Sequence, residues 1–199
     1  MEKNTARLEA FSDGIFGVAI TLLAIEIGIP LYQNPTNTSL FEHFKEKWPE
    51  YITFFNSFAT VLLVWMGHRK IIDQLKNANH WIVLINGLVL LFVVFYPFPT
   101  RLVGTFWGTP AINSAVFLYI IFTAAITFTM LLLCLSINKN ENQLVDKVNG
   151  RIWLKNMIKG QYIALFIYLI AAIVSIYQPY VSLAISFIMW IYWAAASKD

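Results

Sequence analysis

Charged side chains are scarce in this sequence. Asp, Glu, Lys and Arg make up only 13% of the 199 residues, whereas apolar residues make up 58% and the mean hydropathy is +0.63. A soluble domain of this size needs a more polar surface than this composition supplies. The composition therefore predicts an integral membrane protein. The formal net charge of +3 is too small to indicate a nucleic-acid-binding surface.

Cysteine and the short motifs of enzyme active sites are also scarce or missing. The single cysteine, Cys134, excludes an intramolecular disulfide and a cysteine-based metal site. The sequence contains no HExxH, GxSxG, GxGxxG or P-loop motif. Its histidines, His43, His68 and His80, are far apart, and no cysteine or acidic cluster completes a metal-binding set with them. We therefore expect neither an enzyme nor a bound cofactor. We also expect no cleavable signal peptide, because acidic and basic residues are mixed at the N-terminus and no small-residue cleavage site follows the first apolar run.

Long hydrophobic runs are what the sequence has in abundance. A transmembrane helix needs about 20 mostly apolar residues. Six segments qualify: 9–31, 50–68, 80–100, 111–136, 160–177 and 180–196. The last two are divided only by "YQPY" around Pro179, which favours a tight turn between two helices over one bent helix. We predict an all-α membrane protein in which residues 1–199 form a single six-span domain.

The distribution of lysine and arginine predicts the orientation of these spans. If the N-terminus lies inside, eleven basic residues fall on the inner side: Lys3, Arg7, Arg69, Lys70, Lys76, Lys139, Lys147, Arg151, Lys155, Lys159 and Lys198. Only Lys45, Lys47 and Arg101 then fall outside. We therefore expect both termini on the inner side and an outer loop over residues 32–49. The inner connection, residues 137–158, is expected to form an amphipathic surface helix around Leu144, Val148, Ile152 and Trp153.

One outer segment imitates a carbonyl-lined ion filter. The stretch "VGTFWG", residues 103–108, is similar to the TVGYG loop of potassium channels. Pro97, Pro99 and Pro110 bracket it, and no pore helix precedes it. We interpret this stretch as an outer turn with interfacial aromatic residues, not as a filter.

Several polar residues lie inside the predicted spans, where such residues are costly. Ser12 and Asp13 in span 1, His68 in span 2 and Asn86 in span 3 all lie about one turn from the inner boundary. Their matching depth predicts a buried polar network that ties three helices together, with Asp13 hydrogen-bonded to His68. A proton relay through the same residues is the functional alternative.

Span 1 carries a stripe of aliphatic residues between Asp13 and Glu26. Val18, Leu22, Ile25 and Ile29 fall on one face of a helix at about 100° per residue, with Thr21 beside them. By periodicity alone, such a stripe indicates a surface that packs against protein or faces lipid.

The start of span 1 resembles a family signature. Arg7, Phe11, Ser12, Asp13 and Gly14 are similar to the R-x-x-x-F-S-D motif of the transmembrane-protein-175 family, which comprises the lysosomal potassium channel and its bacterial relatives. The residues Trp65, His68 and Asn86 and the "YPF" segment at 96–98 also resemble that family's pattern. Animal members carry two six-span repeats, whereas this chain has one predicted set of six spans, so it resembles the bacterial branch.

The resemblance implies a set of site residues. Members of this family form tetramers of single repeats, with span 1 of each subunit lining a central pore and with apolar rings in place of a carbonyl filter. Counted from the motif, the rings fall on Val18, Leu22 and Ile25, with Thr21 as a polar ring. The resemblance assigns a structural network to the remaining conspicuous polar and aromatic positions: Arg7, Ser12, Asp13, Trp65, His68 and Asn86.

The resemblance also implies a function. It predicts a homotetrameric leak channel in a bacterial cell membrane that passes potassium better than sodium and has no cofactor beyond the permeant ions. Glu26 is then a carboxylate at the outer mouth of the pore or one that faces a subunit interface or lipid headgroups. Two other functions stay open: a proton-coupled secondary transporter that uses Asp13 and His68, and a non-conducting membrane scaffold.

Overall fold

A computed structural model describes residues 3–28, 36–139, 144–146 and 148–196, which form eight helices and no strand. Leu75 and Leu144 form an isolated antiparallel bridge between two connecting segments. The helices are α1 (Lys3–Ile25), α2 (Asn37–Glu46), α3 (Trp48–Asp73), α4 (His80–Phe95), α5 (Pro97–Thr105), α6 (Ile112–Lys139), α7 (Asn149–Ser175) and α8 (Pro179–Ala196). The prediction of an all-α fold is confirmed.

Four stretches of the described chain are long and apolar enough to cross a membrane: Thr5–Ile25, His80–Thr105, Ile112–Lys139 and Asn149–Ser175. The helix α3 has 26 residues but buries several polar ones, and the apolar stretch Pro179–Ala195 is shorter. Each of the six predicted segments lies mainly in a helix, although residues 29–31 fall outside the described residues. The number of crossings stays a prediction.

Three connections differ from the sequence-based expectation. The segment predicted as span 3 breaks at Tyr96, because Pro97 and Pro99 begin a new helix, α5. The predicted outer loop contains α2, whose N-terminus is capped by Thr36 in a capping box with Ser39. The expected separate surface helix is wrong, because α7 begins at Asn149 and continues without a break to Ser175.

The first turn of α7 is held by Asp146. Its Oδ1 accepts hydrogen bonds from the backbone N–H groups of Val148 (2.8 Å) and Asn149 (3.0 Å). These N–H groups lack partners within the helix, so the carboxylate satisfies them. The same hydrogen bonds lower the pKa of Asp146 from its ordinary value of 3.8.

The packing centre is α6, which contacts α4, α5, α7 and α8. Tyr119, Ile120, Leu133, Cys134 and Ile137 of this helix are completely buried. In contrast, α1 packs only along one side, against α3 and α4, with a smaller contact to α5. This peripheral position leaves a long face of α1 without intramolecular cover.

Candidate pore stripe and its polar anchors

The buried face of α1 repeats every three or four residues, as expected for a helix packed along one side. It consists of Leu8, Ser12, Phe16, Ala19 and Leu23, all at most 8% exposed. These side chains meet α3 and α4. The rotation of α1 about its own axis is therefore fixed within the subunit.

The predicted pore residues lie away from that buried face. Val18 is 52% exposed and Ile25 is 74% exposed. Thr21 is exposed and Leu22 is half-buried. The hydroxyl of Thr21 donates to the carbonyl oxygen of Val18 at 2.8 Å, which leaves the hydroxyl oxygen available as an acceptor. The subunit thus presents an aliphatic stripe with one hydroxyl.

A chain of hydrogen bonds links α1, α3 and α4. His68 Nε2 donates to Asn86 Oδ1 at 2.6 Å, Asn86 Nδ2 donates to Ser12 Oγ at 3.0 Å, and Ser12 Oγ donates to the carbonyl oxygen of Leu8 at 2.8 Å. Ser12, His68 and Asn86 are at most 1% exposed. The ring of Phe16 lies 5.2 Å from that of His68 and covers it. Three of the predicted network residues therefore meet in one buried site.

Asp13 has a different partner from the one expected. Its Oδ1 accepts a hydrogen bond from Trp65 Nε1 at 2.7 Å, and the predicted bond to His68 is not formed. The reason is geometric: consecutive helical residues point about 100° apart. Ser12 faces Asn86, so Asp13 is directed to the edge of α1 that meets Trp65.

The two arginines near this site are placed differently. Arg7 is exposed on α1, and no contact joins it to the network among the described residues. Arg69 lies with its guanidinium 5.9 Å from the centre of the Trp65 ring, which is within the range of a cation–π contact. Sequence reasoning missed Arg69, although its position next to His68 at the inner end of α3 is visible in the sequence.

The C-terminal end of α1 is anchored by a second set of contacts. Glu26 Oε2 accepts from Arg101 Nη1 of α5 at 3.1 Å. Glu50 of α3 accepts from the backbone N–H of Gly28 at 3.4 Å and pairs with Lys47. Gly104 lies so close to Glu50 that a Cβ added there would be 3.2 Å from Glu50 Cα. Both carboxylates therefore act within the subunit.

Another polar cluster, which the sequence did not reveal, joins α3, α5, α6 and α8. Asn56 Nδ2 donates to Tyr119 OH at 2.9 Å and lies 3.3 Å from Ser186 Oγ. Ser57 Oγ lies 3.3 Å from Tyr119 OH and 2.7 Å from Thr100 Oγ1. All five side chains are buried. Among the described residues, no group of three histidine, cysteine or acidic side chains could hold a metal ion.

Comparisons with known proteins match this geometry to one family. A family model described as the endosomal/lysosomal potassium channel TMEM175 matches residues 7–97. A potassium channel from Chamaesiphon minutus is 31% identical over 99% of this chain and 97% of that protein. The human endosomal/lysosomal proton channel TMEM175 is 31% identical over 52% of this chain, which covers 22% of the human protein.

A solved structure extends the likeness to three dimensions. The crystal structure of a lysosomal potassium-selective channel TMEM175 homolog from Chamaesiphon minutus superimposes with a TM-score of 0.87 at 30% sequence identity. The match covers 98% of this chain and 98% of that one. The similarity therefore extends over essentially the whole fold, including the helices that lie beyond the segment matched by the family model.

Proposed function

This chain belongs to the TMEM175 family of ion channels, and we propose that four copies of it form a potassium-preferring leak channel whose pore is lined by α1. The observation that carries the proposal is the aliphatic stripe of α1, in which Val18 and Ile25 are exposed and Leu22 is only half-buried. One such helix cannot enclose a pore, whereas a ring of four copies can, and the ring covers the stripe.

The dimensions of the stripe suit a short apolar constriction. Val18 and Ile25 are seven residues apart, which is about 10 Å along a helix. This is about one third of the 30 Å hydrocarbon core. Four copies of Val18, Leu22 and Ile25 therefore make three apolar rings. Gly14 and Gly17 have no neighbouring atom within 4 Å of an added Cβ, so neighbouring helices have room to approach there.

Apolar rings select ions without a set of oxygen ligands. The side chains of Val18, Leu22 and Ile25 offer no oxygen, so an ion passes them partly dehydrated or through a narrow wetted gap. Potassium is less costly to dehydrate than sodium, which favours potassium. The Thr21 hydroxyls supply the one polar ring beside this constriction.

Three side-chain contacts of α1 orient the stripe toward the axis of the proposed pore. Ser12 is bound to α4 through Asn86, Asp13 is bound to α3 through Trp65, and Glu26 is bound to α5 through Arg101. These tethers act at both ends of α1. Because the charge of Glu26 is paired with Arg101, we assign Glu26 an anchoring role instead of a role in concentrating cations at the mouth.

The channel is a multi-pass membrane protein, and we assign it six crossings with both termini inside a bacterial cell membrane. The surplus of lysine and arginine in the inner segments supports this orientation. A direct proton relay from Asp13 to His68 is less well supported, because each of these residues is hydrogen-bonded to a different partner.

Three measurements test the proposal. Purified protein in liposomes should carry a potassium flux, and single-channel recording in planar bilayers should resolve unitary currents, which a transporter does not produce. Native mass spectrometry in mild detergent should show four chains. A monomer with full flux activity, or flux without unitary currents, would overturn the proposed pore.

A further inference from the structure

A cavity lies inside each subunit, between α3, α6, α7 and α8, and no residue of α1 lines it. Its volume is about 30 Å³. A single water molecule needs about 10–15 Å³ on the same scale, so the cavity has room for about two waters or a molecule of a few heavy atoms. Most of its wall is apolar and includes Met130, Met157 and Trp190.

The cavity contains a polar group without a partner. The Gln161 side chain lines it and is only 3% exposed, and its Oε1 has no hydrogen-bond partner among the described residues. A buried acceptor left unpaired is costly. An occupant that donates a hydrogen bond to Gln161 Oε1 removes this cost.

One of the neighbouring hydroxyls also lacks a donor. Thr127 Oγ1 donates its hydrogen to the carbonyl oxygen of Thr123 at 3.0 Å, and Thr60 Oγ1 donates to that of Asn56 at 2.8 Å. Only Thr127 Oγ1 is therefore left as an acceptor without a donor among the described residues, because Thr60 Oγ1 already accepts from Trp190 Nε1 at 3.3 Å. No carboxylate lines the cavity. This combination favours a neutral donor over a cation.

We infer that the cavity binds a short-chain alcohol, whose hydroxyl donates to Gln161 Oε1 and whose carbons pack against Met130, Met157 and Trp190. Leu63, Val64, Met157 and Trp190 are only partly buried, so one wall of the cavity reaches the subunit surface. An alcohol dissolved in the membrane can enter from that side. The binding site is separate from the α1 stripe and does not depend on the proposed pore.

Two methionine methyl groups serve as reporters of binding. In protein with ¹³C-labelled methionine methyls, ethanol should shift the NMR signals of Met130 and Met157 in a saturable manner. Met66 and Met189 do not line the cavity and should show only the linear solvent effect. If Met130 and Met157 also respond linearly, the cavity holds water only and the proposal is wrong.

Variants test whether Gln161 receives the hydrogen bond. Gln161→Leu keeps a similar shape but removes the acceptor, so the half-saturating ethanol concentration should rise by about fivefold or more. Gly67→Ala should also weaken binding, because its Cβ would lie 3.2 Å from Met157 Cε and push that side chain toward the cavity. Thr129→Val is the matched control, since Thr129 is buried on α6 but does not line the cavity. Equal ethanol affinity in wild type and Gln161→Leu would contradict the assignment.

The number of carbon atoms in the alcohol provides a test that needs only the wild-type protein. Simple partitioning into the membrane or detergent strengthens by about fourfold with each added methylene. A cavity of this size predicts that affinity stops rising at two or three carbons. A steady rise from methanol to hexanol would show that the response comes from the bilayer and would overturn the cavity site. Because these readouts measure binding, their failure leaves the channel proposal intact.

Discussion

Trp65 of α3 donates its indole N–H to the carboxylate of Asp13 at 2.7 Å, in the N-terminal half of the helix that carries the stripe. This bond and the Ser12–Asn86 bond hold adjacent residues of α1 to two different helices. Because consecutive residues point about 100° apart around a helix, these two hydrogen bonds fix both the position and the rotation of α1. The direction of the stripe therefore depends on residues that lie outside it.

We expect Asp13 and Trp65 to be energetically coupled. Asp13→Ala and Trp65→Phe should each lower thermal stability, and the double variant should lose less than their sum, by about 0.6–2 kcal/mol. The matched pair Asp13→Ala and His68→Ala should be closer to additive, because those side chains are not hydrogen-bonded to each other. Stronger coupling to His68 than to Trp65 would contradict the observed geometry.

Leu22→Asn should wet the apolar constriction. The amide replaces an aliphatic ring with a polar one, so conductance should rise several-fold and discrimination against sodium should fall. Reversal potentials under biionic conditions measure the second effect. Leu23→Ala is the control: Leu23 is completely buried against the rest of the subunit, so this change should lower stability, by about 2–5 kcal/mol, more than it changes selectivity. Selectivity that responds to Leu23 and not to Leu22 would place the pore on another face.

Thr21→Val should weaken potassium selectivity with little loss of stability. Valine has nearly the shape of threonine but lacks the hydroxyl, and Thr21 is exposed in the single subunit. Losing one hydrogen-bonding group of about 1 kcal/mol corresponds to about a fivefold lower potassium-to-sodium permeability ratio. Thr129→Val, buried on α6, should leave the ratio unchanged. An unchanged ratio in Thr21→Val would exclude the hydroxyl ring from the selection of ions.

The role of Glu26 can be determined by comparing how substitutions of Glu26 and of Arg101 change the conductance. If Glu26 anchors α1, Glu26→Gln and Arg101→Gln should change conductance in the same direction, each with a stability loss below about 1 kcal/mol. The exchanged pair Glu26→Arg with Arg101→Glu should restore both the conductance and the stability. If Glu26 instead concentrates cations at the mouth, the two single variants should change low-salt conductance in opposite directions.

Acid should loosen the start of α7. The pKa of Asp146 is lowered in the folded protein because its carboxylate accepts backbone N–H groups. A group with a lowered pKa stabilises the fold above its unfolded value of 3.8, and this contribution is lost as the pH falls through the lower folded pKa. Hydrogen exchange at the amides of Val148 and Asn149 should therefore accelerate, relative to the intrinsic rate, below about pH 4. Asp146→Ala should show the faster exchange already at neutral pH.

The sequence predicted how far along their helices the polar residues lie better than it predicted which neighbour each side chain faces. Hydrophobic runs and a shared distance from the inner boundary were enough to group Ser12, His68 and Asn86. They were not enough to predict the partner of Asp13, because the rotation of one helix relative to its neighbour depends on packing across all three. The stripe of Val18, Leu22 and Ile25 was identified by its period, but only the folded chain shows that Val18 and Ile25 are exposed and Leu22 is half-buried.

The cluster around Tyr119 was missed for a related reason. Serine and threonine in an apolar helix can bond to a carbonyl of their own previous turn, as Thr53 does, and then carry no information about tertiary contacts. Ser57 and Thr100 look the same in the sequence, yet they are within 2.7 Å of each other across two helices. The break at Tyr96 was also missed, although Pro97 and Pro99 mark it.

Gly104 lets α5 pack closely against α3 beside the C-terminal end of α1. Its backbone rests on Glu50, and a single added methyl group would come within 3.0 Å of Glu50 Cγ. Such a group pushes α5 away from α3, and α5 carries the arginine that holds Glu26. If α1 lines the pore as proposed, the close approach of α5 to α3 at Gly104 therefore sets the position of Glu26 at the mouth, although Gly104 itself meets no ion.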